Sequence, residues 1–265
     1  MNVSNQPVTS REYKLILNSD RFRDRNKGAA RFLNLIDFLI RKQGGTIVET
    51  QEEEDRRHTS YLDTPQFALR QSGFALRLRE ETNRFQINLK YRGADRYISA
   101  AQNLSGSKKG KAKFEEDILP PFVSKFSHSN SIETDTRPQL QTIRDVTSLF
   151  PGISGLGIDP NTPVKTANDF IALEVVRKLC KFQFGETETL KASLSFWYLV
   201  DDTDWPLIGE FSFDYDAAEK DESALEQYSL EVVEGAKGFF SAVQNQTGWL
   251  DFTTTTKTAF ALEVL

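Results

Sequence analysis

The strongest constraint on the fold is a series of long segments in which polar and apolar residues alternate. Side chains of a β-strand point alternately to its two faces, so each run predicts a strand with one apolar and one charged face. Short polar connections at 81–84 and 201–206 favour antiparallel pairing over the long crossovers of parallel sheets. The eight predicted strands cover residues 9–17, 46–62, 73–81, 84–92, 111–119, 171–184, 189–201 and 206–216.

The remaining segments predict helices and one irregular region. Residues 25–43 carry apolar side chains at helical spacing and stop at Gly44 and Gly45. Residues 120–166 are rich in Pro, Ser and Gly and predict a helical and loop excursion outside the sheet. Residues 223–246 predict a second helical region, and the last 13 residues predict a final strand or an ordered tail. We expect a single domain, residues 1–265, of the α+β class.

Composition limits the partners. The chain has 33 Lys and Arg against 38 Asp and Glu, so an exposed surface for nucleic acid is not expected and any basic site must be local. Cys180 is the single cysteine, which excludes an intramolecular disulfide and fits a reducing compartment. No apolar run approaches the roughly 20 residues of a membrane span. We therefore predict a soluble, cytoplasmic protein without a membrane or nucleic-acid partner.

The charged faces raise the functional question. Arg77 and Arg79 lie two residues apart on one predicted strand, and Lys90 and Arg92 do so on the next. Like charges at this spacing repel one another unless an anion or carboxylates lie between them. A half-exposed sheet with its charged side in water is the ordinary explanation. Eight strands are also enough to close a barrel, and the charged faces would then line an interior able to hold a ligand.

A closed barrel with helices outside would bring cations from several strands to one volume. Arg suits phosphate because its planar fork donates two hydrogen bonds at once, whereas Lys acts as a point charge. Carboxylates of the same charged faces are the ligands that Mg²⁺ or Mn²⁺ would need beside phosphate oxygens. The candidate metal ligands are Glu12, Glu115, Glu210 and Asp214.

The central segment resembles a known family. The sequence "SYLDTPQFALRQSGFALRLREETNRFQINLKYRG" is similar to the signature of the CYTH superfamily, the triphosphate tunnel metalloenzymes. "EYK" at 12–14, "FEEDI" at 114–118, "VRKLCKF" at 176–182 and "GEFSFDYD" at 209–216 follow in the order of the family's other elements. The resemblance implies a closed antiparallel eight-stranded tunnel with helices packed outside, which binds a small-molecule triphosphate or polyphosphate.

The resemblance also assigns roles by residue match. It implies Mg²⁺- or Mn²⁺-dependent hydrolysis of a triphosphate, with Glu12 and Lys14 as the catalytic pair. The implied metal ligands are Glu12, Glu115 and Glu210, joined by Asp214 from the charged-face pattern. The phosphate ligands it implies, with Arg92 added from the same pattern, are Lys14, Arg77, Arg79, Lys90, Arg92, and Arg177 or Lys181.

Three acids of the family pattern are replaced by serine, at Ser10, Ser195 and Ser212. A hydroxyl is a poor substitute for a carboxylate as a ligand of Mg²⁺. Three functions therefore remain open: a metal-dependent triphosphatase, a weak or inactive relative that only binds polyphosphate or a nucleotide, and a protein-interaction module that kept the barrel.

Overall fold

A computed structural model describes residues 6–107, 110–186, 188–217, 228–253 and 256–263. The strands in these ranges are β1 (Ser10–Leu17), β2 (Thr46–Thr50), β3 (Glu54–Asp63), β4 (Phe74–Glu81), β5 (Arg84–Gly93), β6 (Lys111–Leu119), β7 (Val123–Thr134), β8 (Lys165–Gln183), β9 (Thr189–Leu199) and β10 (Ile208–Asp216). The α-helices are α1 (Arg25–Lys42), α2 (Ala68–Gln71), α3 (Arg96–Ala100), α4 (Ile143–Leu149), α5 (Leu230–Gln244) and α6 (Lys257–Glu263). No helix in these ranges is long and apolar enough to cross a membrane.

The strands close into a barrel. The pairing order is β8, β3, β4, β5, β7, β6, β1, β10 and β9, and β9 pairs again with β8. β2 precedes β3 along the same side of β8, because residues 46–50 pair with 180–183 and residues 54–63 pair with 165–177. The predicted closed barrel with outer helices is confirmed, but the prediction of eight antiparallel strands is wrong.

Nine strands form the ring, and β1 runs parallel to β6. An odd number of strands cannot alternate direction all the way round a closed ring, so at least one neighbouring pair must be parallel. Every other neighbouring pair of the ring, among the described residues, is antiparallel.

The additional strand is β7, which lies inside the predicted loop excursion at 120–166. It reads "VSKFSHSNSIET", so both of its faces carry polar residues and an apolar period of two is not visible. Ser129, Ser131 and Glu133 face the barrel interior. On the outer face, Asn130 donates through Nδ2 to the carbonyl oxygen of Leu104 at 2.9 Å, which satisfies a polar group that water does not reach.

The main core lies between the barrel and the two long helices. Phe32 of α1 meets Phe211 with ring centroids 5.0 Å apart, and Phe239 of α5 meets Phe213 at the same distance. Tyr13 of β1 stacks on Phe213 at 4.6 Å. The apolar strand faces therefore point outward beneath helices, which leaves the charged faces to point inward.

The end of the chain differs from its prediction. Residues 257–263 form α6 where a last strand or ordered tail was expected. The Asn168 side chain donates through Nδ2 to the carbonyl oxygen of Ala261 at 3.0 Å, and Phe260 packs against Phe170. The second predicted helix is confirmed as α5, which begins at Leu230; residues 218–227, which include the start of the predicted region, lie outside the described residues.

The sharp turn after β3 depends on Asp63. Its Oδ1 accepts hydrogen bonds from the backbone N–H groups of Thr64 and Leu69 at 2.7 and 2.9 Å. Its Oδ2 accepts one from the N–H of Arg70 at 2.9 Å. The side chain thus satisfies three donors where the chain passes from β3 through α2 towards β4, the strand that carries Arg77 and Arg79.

We expect Asp63→Ala to lower the free energy of unfolding by about 2–4 kcal/mol, because it leaves buried backbone donors without acceptors. Urea denaturation followed by circular dichroism would measure the loss. Asp159→Ala is the matched control: its carboxylate accepts from one exposed N–H, that of Asn161, and we expect a loss below about 1 kcal/mol. Equal losses in the two variants would contradict this role for Asp63.

Candidate anion-binding tunnel

The barrel encloses a cavity of about 400 Å³, which is within the range of small-molecule sites. Its described lining holds nine Lys or Arg side chains and five Glu side chains, so cations are in excess. Eight of the predicted site residues line it: Glu12, Lys14, Arg77, Arg79, Lys90, Arg92, Glu115 and Glu210.

Two predicted phosphate ligands, Arg177 and Lys181, lie outside the cavity. Arg177 belongs to the outer face of β8, together with the core residues Val175 and Leu179, and donates to the Asn26 side chain of α1 at 2.8 Å. Lys181 pairs with Glu49 of β2 at 2.7 Å on an exposed surface. These two side chains do not line the cavity.

Asp214 lies on β10 opposite Glu12 of β1, next to the cavity but not in its lining. Burial, with help from the nearby charge of Glu12, raises the pKa of Asp214 to about 7.

One wall of the tunnel is organised around Asp117 of β6, which is fully buried. Its carboxylate accepts hydrogen bonds from Lys14 Nζ at 2.6 Å, from Arg92 Nη2 at 2.7 Å and from the hydroxyl of Ser127. Burial opposes the charge of Asp117, but Arg92 and Lys14 outweigh it and hold the pKa of Asp117 well below its usual range. We call Asp117, Lys14, Arg92 and Ser127 the Asp117 cluster.

The opposite wall is organised around Glu174 of β8, whose side chain is 1% exposed. Arg57 Nε and Thr59 Oγ1 donate to its Oε2 at 2.7 and 3.0 Å. Ser195 Oγ and Lys257 Nζ donate to its Oε1, both at 3.0 Å. Burial opposes this charge too, yet Lys257 and the neighbouring arginines hold the pKa of Glu174 well below its usual range. These five residues are the Glu174 cluster.

Between the two clusters, some cations lack full compensation. No described residue accepts a hydrogen bond from the buried Nε atoms of Arg77 and Arg79. Arg79 Nε lies 3.3 Å from Glu174 Oε2, close enough for an ion pair but without hydrogen-bond geometry. Burial and the adjacent Arg77 lower the pKa of Arg79 to about 9, and burial lowers the pKa of Lys90. Arg79 therefore stays charged at neutral pH although no described group accepts a hydrogen bond from its Nε.

The residues present do not fit a bound Mg²⁺ or Mn²⁺. The described residues contain no group of three or more His, Cys, Asp or Glu side chains that could hold a metal ion. Three of the four carboxylates expected to bind metal already face a lysine: Glu12 pairs with Lys14 at 2.8 Å, Glu115 with Lys90 at 3.3 Å and Glu210 with Lys257 at 3.2 Å. The fourth, Asp214, is not part of the cavity lining. We therefore derive no chemical step through a metal.

Sequence reasoning missed six residues of the clusters: Asp117, Ser127, Arg57, Thr59, Glu174 and Lys257. Glu174 had a signal, since it is an acid inside the apolar run "IALEVV", and Arg57 shares the inward face of β3 with Tyr61. Asp117 belongs to the charged face of a predicted strand and was not singled out among its neighbours. Lys257 had no signal, because it stands in the non-periodic segment "TTTTKTAF".

Comparison with known proteins gives structural matches only. No protein-family model and no curated protein matches the sequence. A candidate adenylyl cyclase from Hippeastrum, described as having a dominant triphosphatase activity, matches with a TM-score of 0.48 and 14% identity, over 96% of this chain and 95% of that one. A candidate adenylate cyclase from Bacillus halodurans matches with a TM-score of 0.42 and 10% identity, over 96% and 97%. No activity is assigned to this chain from either match.

The raised pKa of Asp214 has a consequence for stability. An unfolded Asp titrates near pH 3.9, so between that pH and about 7 the folded state holds the proton more tightly than the unfolded state does. The stability that Asp214 contributes is fully present below about pH 4 and is lost as the pH rises to about 7.

At pH 8 we expect the free energy of unfolding of Asp214→Asn to exceed that of the unmodified protein by on the order of 1 kcal/mol. At pH 4 we expect almost no difference between the two. Urea denaturation at several pH values would measure this. Asp204→Asn, in the exposed turn after β9, is the control and should keep the original pH dependence. An Asp214→Asn curve parallel to that of the unmodified protein would refute the assignment.

Proposed function

We propose that the tunnel binds the triphosphate group of a small molecule, or inorganic triphosphate itself. The single observation that supports this most is the pair Arg77 and Arg79, whose side chains line a positive cavity and whose buried Nε atoms have no acceptor among the described residues. Phosphate oxygens are acceptors of matching charge, and a guanidinium can donate two parallel hydrogen bonds to them.

The two clusters suit this ligand because each cation is held at a fixed position. Arg92 is fixed by Asp117 at 2.7 Å and Arg57 by Glu174 at 2.7 Å, so ordering these side chains on binding costs little entropy. Lys90 is only loosely paired, at 3.3 Å from Glu115, and can turn to a phosphate oxygen. A linear chain of phosphoryl groups would contact cations from several strands at once.

Binding, not hydrolysis, is what this arrangement supports. The metal-dependent hydrolysis implied by the family resemblance needs carboxylates that are available to a metal, and Glu12, Glu115 and Glu210 are paired with lysines. The serines at 10, 195 and 212 reduce the donor set further. Phosphate release is therefore a measured outcome of the test and not part of the proposal.

Isothermal titration calorimetry with inorganic triphosphate, in EDTA and again with Mg²⁺, tests the proposal. We expect one site, and we expect Arg77→Ala to weaken the affinity about 10–100-fold, because it removes charge-assisted hydrogen bonds in a buried cavity. Arg137→Ala, at an exposed arginine that pairs with Glu80, should leave the affinity unchanged. Thiamine triphosphate, ATP and pyrophosphate compared in the same assay would identify the preferred ligand.

Phosphate release measured on the same samples separates a binder from a hydrolase. Release that needs Mg²⁺ and is lost in Arg77→Ala would restore the triphosphatase reading. Absence of binding to every phosphate compound, or equal weakening by Arg77→Ala and Arg137→Ala, would refute the tunnel as a triphosphate site.

A further inference from the structure

The cation at the Glu174 wall comes from the C-terminal helix. Lys257, the first residue of α6, places its Nζ at 3.0 Å from Glu174 Oε1, at 3.2 Å from Glu210 Oε1 and at 2.6 Å from Ser195 Oγ. Its side chain is 13% exposed. An ammonium group has three hydrogens to donate, and here three oxygen atoms surround it.

The helix that carries Lys257 is fastened to the barrel at several points. Thr258 Oγ1 shares a hydrogen bond of 2.9 Å with the hydroxyl of Tyr61, and Arg70 Nη1 donates to the carbonyl oxygen of Leu262 at 2.5 Å. Thr256, Lys257 and Thr258 all line the cavity. The ammonium is thus part of the tunnel wall.

Glu210 depends on this lysine. Among the described residues, Lys257 is its one ion-pair partner, whereas Glu174 also pairs with Arg57 and Arg79. Two carboxylates and a hydroxyl form a hard oxygen donor set, which in the presence of phosphate oxygens is what a divalent cation selects. In this protein an ammonium group occupies that position.

We infer that Lys257 does the work of a divalent cation in this tunnel: it neutralises Glu210 and Glu174 so that a triphosphate anion binds without metal. The statement about the anion rests on the proposed function. The exclusion of a divalent cation from Glu210 by Lys257 does not depend on the proposed function and is measured separately. Lys257 is a positioning and charge-balancing residue, and no bond-making step is assigned to it.

The first arm of the test measures the metal alone on the full chain. Free Mn²⁺ is followed by electron paramagnetic resonance during titration with protein. We expect Lys257→Met to bind Mn²⁺ at least about tenfold more tightly than the unmodified protein, and the double variant Lys257→Met, Glu210→Gln to lose this gain. Equal Mn²⁺ binding by the unmodified protein and Lys257→Met would overturn the inference.

The second arm measures triphosphate binding by calorimetry. We expect the unmodified protein to bind inorganic triphosphate in EDTA, Lys257→Met to bind it at least about tenfold more weakly, and Mn²⁺ to restore much of that loss in the variant only. A loss that Mn²⁺ does not restore would overturn the metal-substitute role. If no variant binds triphosphate, the proposed function fails and the Mn²⁺ titration alone decides the inference.

Two controls separate charge from structure. Thr258→Val removes the hydrogen bond between α6 and Tyr61 but keeps the ammonium, so it should gain no Mn²⁺ site. Lys42→Met removes an exposed lysine at the end of α1 and should behave as the unmodified protein in both arms. If Lys257→Met does not fold, judged by its thermal melt, Lys257→Gln takes its place with the same expectations. Mn²⁺ binding gained by Thr258→Val would overturn the assignment to the charge of Lys257.

Discussion

The tunnel depends on two carboxylates that water does not reach. Asp117 and Glu174 are buried in opposite walls, and each accepts hydrogen bonds from two cations that belong to different elements of the fold. Without them, the inward Lys and Arg side chains would repel one another in surroundings of low dielectric constant. Removing one partner of a buried ion pair is strongly destabilising, because an uncompensated charge stays behind. The hydrogen bonds that compensate the buried charges therefore also fix the cations in place.

The charges that line the tunnel favour an anion in the cavity but leave few carboxylates available to a metal ion. The cations exceed the carboxylates, which favours a polyanion inside the cavity. Glu12, Glu115 and Glu210 each pair with a lysine, and three positions that the family resemblance assigns to acids hold serine. Positive charge is kept while metal-ligating capacity is reduced. The proposed phosphate ligand would therefore be held by the side chains of the tunnel itself.

Much of the barrel and of its charged interior could be predicted from the alternation of polar and apolar residues. Each strand turns one face to the outer helices and the other to the cavity, which produces a period of two in the sequence. The prediction placed Arg77, Arg79, Lys90 and Arg92 on one inner surface, where they lie. It failed at β7, whose outer face includes His128 and Asn130 and so lacks an apolar stripe. It also failed for Arg177, which shares the outward face of β8 with the core residues Val175 and Leu179. A bulge between Lys178 and Cys180 then shifts the pairing register of the rest of β8. Lys257 could not be found because its position depends on tertiary docking of a short helix.

The pairing of the first strand, β1, with β10 affects the order in which the protein can assemble. β1 lies between β6, which it meets in parallel, and β10, which ends at Asp216. A ribosome that has released only the first two thirds of the chain has made β1 but not its antiparallel neighbour. One edge of β1 then stays unpaired until β10, the last strand among the described residues, has emerged. Contacts of such long sequence separation are typical of slow folding, and a strand edge that stays unpaired during folding is prone to aggregation.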